Sequence, residues 1–103
     1  MQSRIYTFLG LARKANALVI GEEAVENAIR NKRVKFVIIA DDTSCNTRNN
    51  IINKCKYYDV VYRIFGEKEL IGKSVGKNVV AVIATNNQGF LTKLIDMIDV
   101  VPK

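Results

Sequence analysis

Histidine and tryptophan are absent from this 103-residue sequence, and proline occurs once. Without histidine the chain lacks the commonest general base and cannot form a Ser-His or Cys-His nucleophile pair. The Cys/His spacings of common zinc sites cannot be assembled either, because the cysteines are Cys45 and Cys55 alone. No complete phosphate-binding loop is present, since position 67 is Glu where that motif needs Gly. These absences predict a protein that is not an enzyme and that holds neither a metal ion nor another cofactor.

Long apolar runs are also missing. No run approaches the ~20 residues that are needed to cross a bilayer, and residues 1–4 are not followed by a secretory apolar stretch. We therefore expect a cytoplasmic protein without a membrane partner, in which Cys45 and Cys55 are buried thiols.

Length and charge set the next expectations. A chain of 103 residues predicts one domain over 1–103, and 49% apolar residues can fill one modest core. The net charge of +6 favours a polyanionic partner such as nucleic acid. Many small domains are basic for solubility alone, so charge by itself leaves that partner open. A monomer is the default expectation.

Apolar periodicity predicts that helices and strands alternate along the chain. Helices are expected over 3–16, 22–31, 45–57 and 67–73, and after a cap at 86–87. Strands are expected over 17–20, 36–40, 60–64 and 79–84. The alternation predicts an α/β fold, a three-layer α/β/α sandwich with a central mixed sheet of about four strands.

Three segments have the composition of nucleic-acid contacts, and each has an ordinary structural alternative. The start of the second helix, 21–23, offers backbone N–H groups or simply makes a turn. The stretch 30–35 contacts phosphate or forms a solvated face, and its cations are Arg30, Lys32, Arg33 and Lys35. The stretch 72–78 is a mobile loop that presents Lys73 and Lys77 to phosphates, or it only connects a helix to a strand.

Six segments in collinear order resemble the L7Ae/L30e ribosomal protein family, and within it the short bacterial branch of YlxQ type. They are GLARKA (10–15), GEE (21–23), FVIIADD (36–42), CKYY (55–58), IGKSVGK (71–77) and NQGF (87–90). The resemblance covers about residues 4–98. It implies an α/β/α sandwich that binds and stabilises kink-turn RNA, a sharply bent helix–internal loop–helix element of a ribosomal or regulatory RNA, in a ribonucleoprotein linked to translation.

The resemblance also implies which residues meet the RNA. In the family, the start of the second helix reads sheared G·A pairs, and the loop before the last strand covers a flipped-out nucleotide. The helix positions in this chain are Gly21, Glu22, Glu23, Ala24 and Asn27. The loop positions are Val75, Gly76, Lys77 and Asn78. Arg33 and Lys73, which come from the composition of the stretches 30–35 and 72–78 and not from the resemblance, complete the predicted RNA-binding set.

The second helix departs from the family pattern. Archaeal members carry Asn, Glu and, three residues on, Lys where this chain has Glu23, Ala24 and Asn27, and the bacterial branch commonly keeps Lys at position 27. Three carboxylates, those of Glu22, Glu23 and Glu26, are expected to crowd the surface that meets phosphate. RNA affinity or choice is therefore expected to differ from that of the family. The alternative function is a protein-interaction or regulatory adaptor of the same fold with weak or lost RNA binding.

Overall fold

The structure is a computed structural model that describes residues 2–100, with side chains from residue 4. Helices and strands alternate, as the periodicity predicts. The helices are α1 (Gln2–Lys14), α2 (Glu22–Arg30), α3 (Cys45–Tyr57), α4 (Lys68–Ser74) and α5 (Gln88–Asp99). The strands are β1 (Val19–Ile20), β2 (Phe36–Ile39), β3 (Val61–Ile64) and β4 (Val82–Thr85).

The four strands form one mixed sheet in the order β1-β4-β2-β3. β2 and β3 are parallel, with Phe36 opposite Val61, whereas β4 runs antiparallel to both β1 and β2. Helices α1, α4 and α5 pack on one face of the sheet, and α2 and α3 pack on the other. The predicted three-layer α/β/α sandwich with a mixed four-stranded sheet is confirmed.

The central strands β2 and β4 are buried along their whole length. Phe36 and Ile38 face the core under α1, α4 and α5, while Val37 and Ile39 face the core under α2 and α3. Because helices cover both faces of the sheet, successive side chains of a central strand are apolar rather than alternating. This is the physical origin of the continuous apolar run at 36–40.

Four helices end in the same left-handed turn. The residue two positions beyond the last helical residue has φ between 56° and 79°, and these residues are Asn16, Lys32, Asp59 and Gly76. In each case the next N–H donates to the carbonyl five residues before it, at 2.7–2.9 Å. This arrangement is the Schellman motif. It shows that the predicted loop at 72–78 is wrong in its first half, since 72–74 belong to α4 and Lys77 N donates to Gly72 O.

The two cysteines have different surroundings. Cys55 is buried in the core between the sheet and α3, but Cys45 is exposed at the first position of α3. The expectation of two buried thiols is therefore wrong for Cys45. Burial raises the pKa of the Cys55 thiol from 9.0 to about 11, because the thiolate loses its hydration in the core.

This shift predicts a loss of stability at alkaline pH. Above pH 9 the unfolded chain releases the Cys55 proton while the folded chain keeps it, so the free energy of unfolding falls by about 1.4 kcal/mol per pH unit towards pH 11. Urea unfolding of the wild type and of Cys55→Ala, at pH 8, 9 and 10.5, measures this slope. The variant starts from a lower stability but should lack this component of the pH dependence. Equal slopes in the two proteins would contradict the assignment.

Candidate nucleic-acid interface

A groove of about 390 Å³ opens at the end of the sheet where β2 finishes and β4 begins. It lies between the N-terminal ends of α2, α3 and α4 and the segment 77–81. We call it the groove. Its lining residues are Ile20, Gly21, Glu22, Thr43, Ser44, Thr47, Lys68, Lys77, Val79, Val80 and Ala81.

The segment 79–81 forms one wall of the groove, and its first two residues are held outside the sheet. Val80 N donates to the carbonyl of Lys68 at 2.9 Å, whereas Ala81 O accepts from Ala40 N at 2.8 Å and extends the pairing of β2 and β4 by one hydrogen bond. β4 itself begins at Val82, so the strand predicted over 79–84 is wrong in its first three residues. Val79 is left 54% exposed and lines the groove instead of joining the core.

The first turn of α2 presents backbone N–H groups at the groove. Gly21 is the N-cap, and it supplies no side-chain hydrogen bond to the helix. Nothing lies within 4 Å of the place where a Cβ of Gly21 would be, so the helix start is open to an approaching group. The N–H groups of an uncapped first turn attract anionic or carbonyl oxygens, and the helix dipole adds to this attraction.

Glu22 and Glu23 differ in their surroundings. Glu22 Oε1 accepts a hydrogen bond from the Thr47 hydroxyl at 3.2 Å, which ties the start of α2 to α3. Glu23 is exposed, and within residues 2–100 its carboxylate makes no hydrogen bond or ion pair. The Thr47 hydroxyl therefore holds the Glu22 carboxylate in position, whereas the Glu23 carboxylate has no partner among the described residues.

Glu26 is turned towards α3. Its carboxylate pairs with Arg30 at 2.6 Å, accepts from Asn50 Nδ2 at 2.6 Å and lies 4.0 Å from Lys54 Nζ. Two cations therefore offset its charge. Of the three carboxylates expected to crowd the phosphate-facing surface, Glu26 is thus paired within the protein, whereas Glu23 is exposed without a partner among the described residues.

The exposed face of α2 carries Glu23, Ala24 and Asn27. Glu23 and Asn27 are four residues apart and so lie one above the other on a helix. Asn27 Oδ1 accepts from Arg30 Nη1 at 3.3 Å, whereas its amide NH₂ has no partner among the described residues. Asn27 is therefore exposed, and the two N–H groups of its side-chain amide are available as hydrogen-bond donors.

The stretch 73–78 divides between core and surface. Gly76, Lys77 and Asn78 are exposed, and Lys77 lines the groove. Val75 is 3% exposed and packs in the core, so the predicted contact of this residue is possible through its backbone only. Lys73 is exposed on α4, but it does not line the groove.

Arg33 lies at the opposite end of the sheet. Helix α2 has nine residues and is ~13 Å long, and it runs away from the groove. Arg33 N donates to Ala28 O in the turn that ends α2, and Lys35 N then donates to Thr85 O at the last residue of β4. The structure therefore separates Arg33 from the other predicted RNA-binding residues.

Several groove residues were not predicted as contacts. Lys68 reaches the groove because α4 starts there, and Asp42 Oδ1 accepts from its backbone N–H at 3.0 Å. Ser44 caps α3 by accepting from Thr47 N at 3.4 Å, as its turn-and-cap composition indicates. The sequence signals the Ser44 cap, but it gives no sign that Asp42 bonds to Lys68 or that Lys68 and Val79 lie near Gly21, because tertiary packing alone joins these residues.

Two further structural findings concern residues 2–100. No three acidic or cysteine side chains in this range gather closely enough to hold a metal ion. None of the helices that the structure describes has the length and apolar character that a bilayer span requires.

Comparison with known proteins gives consistent matches. The sequence model of the ribosomal protein L7Ae/L30e/S12e/Gadd45 family matches residues 3–95. RNA-binding protein YlxQ of Bacillus subtilis (strain 168) is 40% identical over 94 residues, which are 91% of this chain and 94% of that protein. RNA-binding protein YlxQ of Enterococcus faecium is 33% identical over 99 residues, 95% of this chain and 94% of that protein.

Solved structures share the fold. A protein of unknown function from Bacillus halodurans C has a TM-score of 0.87 at 34% identity, covering 92% of this chain and 96% of that one. The Giardia lamblia 15.5kD RNA binding protein has a TM-score of 0.77 at 16% identity, covering 94% of this chain and 82% of that one. At that identity the second match bears on the fold alone.

Proposed function

The chain belongs to the ribosomal protein L7Ae/L30e/S12e/Gadd45 family, and from this premise we propose that it is an RNA-binding protein that recognises kink-turn RNA at the groove. The names of its relatives, 40% and 33% identical over almost their whole length, support RNA binding. The finer proposal, recognition of a kink-turn, depends on the geometry of the groove.

One observation carries this finer proposal. Gly21 and Glu22, at the start of α2, line the same groove as Lys77, although most of the chain separates them in sequence. The resemblance assigns the start of α2 to the sheared G·A pairs of the RNA. It assigns the loop that contains Lys77 to the flipped-out nucleotide. A single bent RNA element can meet both segments at once because they share one surface.

Each part of the groove has a proposed role. The N–H groups of the first turn of α2 and the side chain of Asn27 donate to base edges in the widened groove of the RNA. Lys68 and Lys77, which line the groove, contact phosphates of the bound RNA. The exposed side chain of Val79 supplies an apolar surface for the flipped-out base.

The proposed mechanism is selection of the bent RNA. The groove is formed by helix ends that backbone hydrogen bonds hold in place. Such a surface binds the kinked state more tightly than the extended one and shifts the RNA population towards the kinked state. We further propose that the chain acts as a single domain and a cytoplasmic monomer, that it needs no cofactor, and that it catalyses no reaction.

A titration with two RNAs tests recognition. A labelled RNA with a consensus kink-turn is compared with a plain duplex of the same length, at two salt concentrations. We expect tighter binding of the kink-turn at both, with a difference that persists at the higher salt, because phosphate contacts alone are screened. Equal affinity for the two RNAs would exclude kink-turn recognition, and no binding of either would favour the adaptor function.

Substitution of Asn27 by Lys tests the placement of the site. A long cationic donor on the exposed face of α2 should tighten kink-turn binding by about 1–2 kcal/mol, and Asn27→Ala should weaken it. Both are measured by the same titration. Thr92→Lys adds an equal charge to the exposed side of α5, across the sheet, and serves as the control. If Asn27→Lys gained no more than Thr92→Lys, α2 would not face the RNA.

A further inference from the structure

A second surface lies at the end of the molecule opposite the groove. Helices α2 and α3 both start at the groove and end beside each other, where a cavity of about 330 Å³ is lined by Arg30, Asn53, Lys54, Tyr57 and Tyr58. We call this the tyrosine surface. The register of the sheet places it far from the groove, because Phe36 and Val61 begin β2 and β3 at this end.

Tyr57 is the most exposed large hydrophobic side chain among the described residues, at 81%. Its ring meets that of Tyr58 edge to face, with centroids 4.8 Å apart and planes at 78°. Tyr58 is half-buried and packs against the core under α2 and α3. Tyr58 therefore supports the Tyr57 ring on one side, and most of the Tyr57 side chain stays open to solvent.

Several cations lie at this end of the molecule. Arg30 and Lys54 line the cavity, and four exposed cations lie next to them along the chain: Lys32, Arg33 and Lys35 follow the end of α2, and Lys56 precedes Tyr57. The acidic groups that face this end are Glu26, which is already paired with Arg30 and Lys54, and Asp59. The surface thus has a clear excess of positive charge around an open aromatic ring.

Lys32 occupies a backbone position that disfavours lysine. It lies in the left-handed region with φ 56°, at the Schellman position that Asn16, Asp59 and Gly76 occupy in the other three helices. Gly, Asn and Asp tolerate this conformation, whereas a long side chain is strained there. A cation stands at this place although glycine would suit the turn better.

We propose that the tyrosine surface is a second RNA-binding site, in which an unpaired base stacks on Tyr57 and the surrounding cations contact the phosphates beside it. An aromatic platform among cations is the arrangement that binds single-stranded nucleic acid. The excess of positive charge favours RNA over a protein partner as the occupant. The proposal rests on the proposed RNA binding of this chain, but it does not depend on kink-turn recognition in the groove.

Fluorescence anisotropy with two short ligands tests the site. One is a labelled 12-nucleotide uridine RNA, and the other is an abasic chain of the same length and charge. We expect the wild type to bind the uridine RNA more tightly. Tyr57→Ala should weaken that binding by about tenfold and leave the abasic chain unaffected, because only the stacking contact is lost. Tyr57→Phe should retain the affinity.

Lys32→Gly supplies an independent readout. It should raise Tm by a few degrees, because glycine relieves the strained turn, while it weakens binding of both ligands, because a phosphate contact is lost. A purely structural role for Lys32 would not give opposite changes in stability and affinity.

Variants of the groove separate RNA binding at the tyrosine surface from kink-turn recognition at the groove. Replacement of both Lys68 and Lys77 by Ala should leave uridine binding within about threefold of the wild type, whereas Tyr57→Ala should leave kink-turn discrimination intact. The second site is overturned if Tyr57→Ala has no effect on uridine binding, if uridine and abasic chains bind equally, or if the groove variant abolishes single-strand binding. Absence of uridine binding by the wild type would leave a protein as the occupant and would also overturn it.

Discussion

The double variant Lys68→Ala/Lys77→Ala is expected to lose most of its affinity for kink-turn RNA. The two side chains line the groove, one from the start of α4 and one from the turn that follows its end. Two lost charge-assisted contacts of about 1.5–3 kcal/mol each weaken binding by about 3–6 kcal/mol if they act independently. The slope of log K against log salt should become shallower by about two. Electrophoretic titration at several salt concentrations measures both quantities.

The matched control for this variant is Lys14→Ala/Lys93→Ala. It removes the same charge from exposed positions of α1 and α5, two helices that contribute no residue to the groove. We expect its kink-turn affinity to stay within about threefold of the wild type. An equal loss in the two double variants would mean that net charge drives binding, and the groove would then have no special role.

Gly72→Ala is expected to destabilise the fold by about 3 kcal/mol. A Cβ at Gly72 would lie 2.7 Å from Asn78 O, 2.8 Å from Asn78 C and 2.9 Å from Val79 N. All three are backbone atoms, so the clash cannot be relieved by a change of rotamer. The segment that contains Lys77 and Val79 must move instead. Thermal unfolding should show a fall in Tm of more than about 10 °C, and kink-turn affinity should fall in the protein that stays folded.

Gly89→Ala provides the comparison for Gly72→Ala. Gly89 is an exposed residue in the first turn of α5, and a methyl group added there would have Asn87 Oδ1 as its nearest neighbour, at an ordinary contact distance of 3.4 Å. Alanine is a better helix former than glycine, so this variant should be stabilised by up to about 1 kcal/mol. A similar loss of stability in both variants would contradict the close approach of the 78–79 backbone to α4.

Sequence reasoning succeeded where a local pattern has one physical cause. The run at 36–40 is apolar at every position because helices cover both faces of the sheet, and this pattern predicted a buried central strand. The same kind of reasoning was less successful at 79–81, where the residues have the composition of a strand. The N–H of Val80 bonds to the carbonyl of Lys68, so Val79 and Val80 stay outside the sheet and line the groove. Composition cannot distinguish the two arrangements, because the same apolar residues suit both.

The candidate site divides in the same way. The resemblance predicted Gly21, Glu22 and Lys77, which the structure brings to one groove, but it also included Val75, whose side chain lies in the core. Lys68 lacked any local signal. Glu26 was expected at the phosphate-facing surface, yet Arg30 and Lys54 draw its carboxylate towards α3. Side-chain pairing between two helices depends on how the helices pack, and sequence spacing within one helix does not contain that information.

The order of helices and strands and the six collinear segments are properties of the sequence itself, and they determined the fold class and the family. The tertiary structure alone decided which cations lie together. It places Lys68 and Lys77 at one end of the sheet, and Arg33 at the other end in the turn that follows α2. The physical reason is that charge is a sum along the chain, whereas a binding surface depends on which ends of helices the sheet brings side by side.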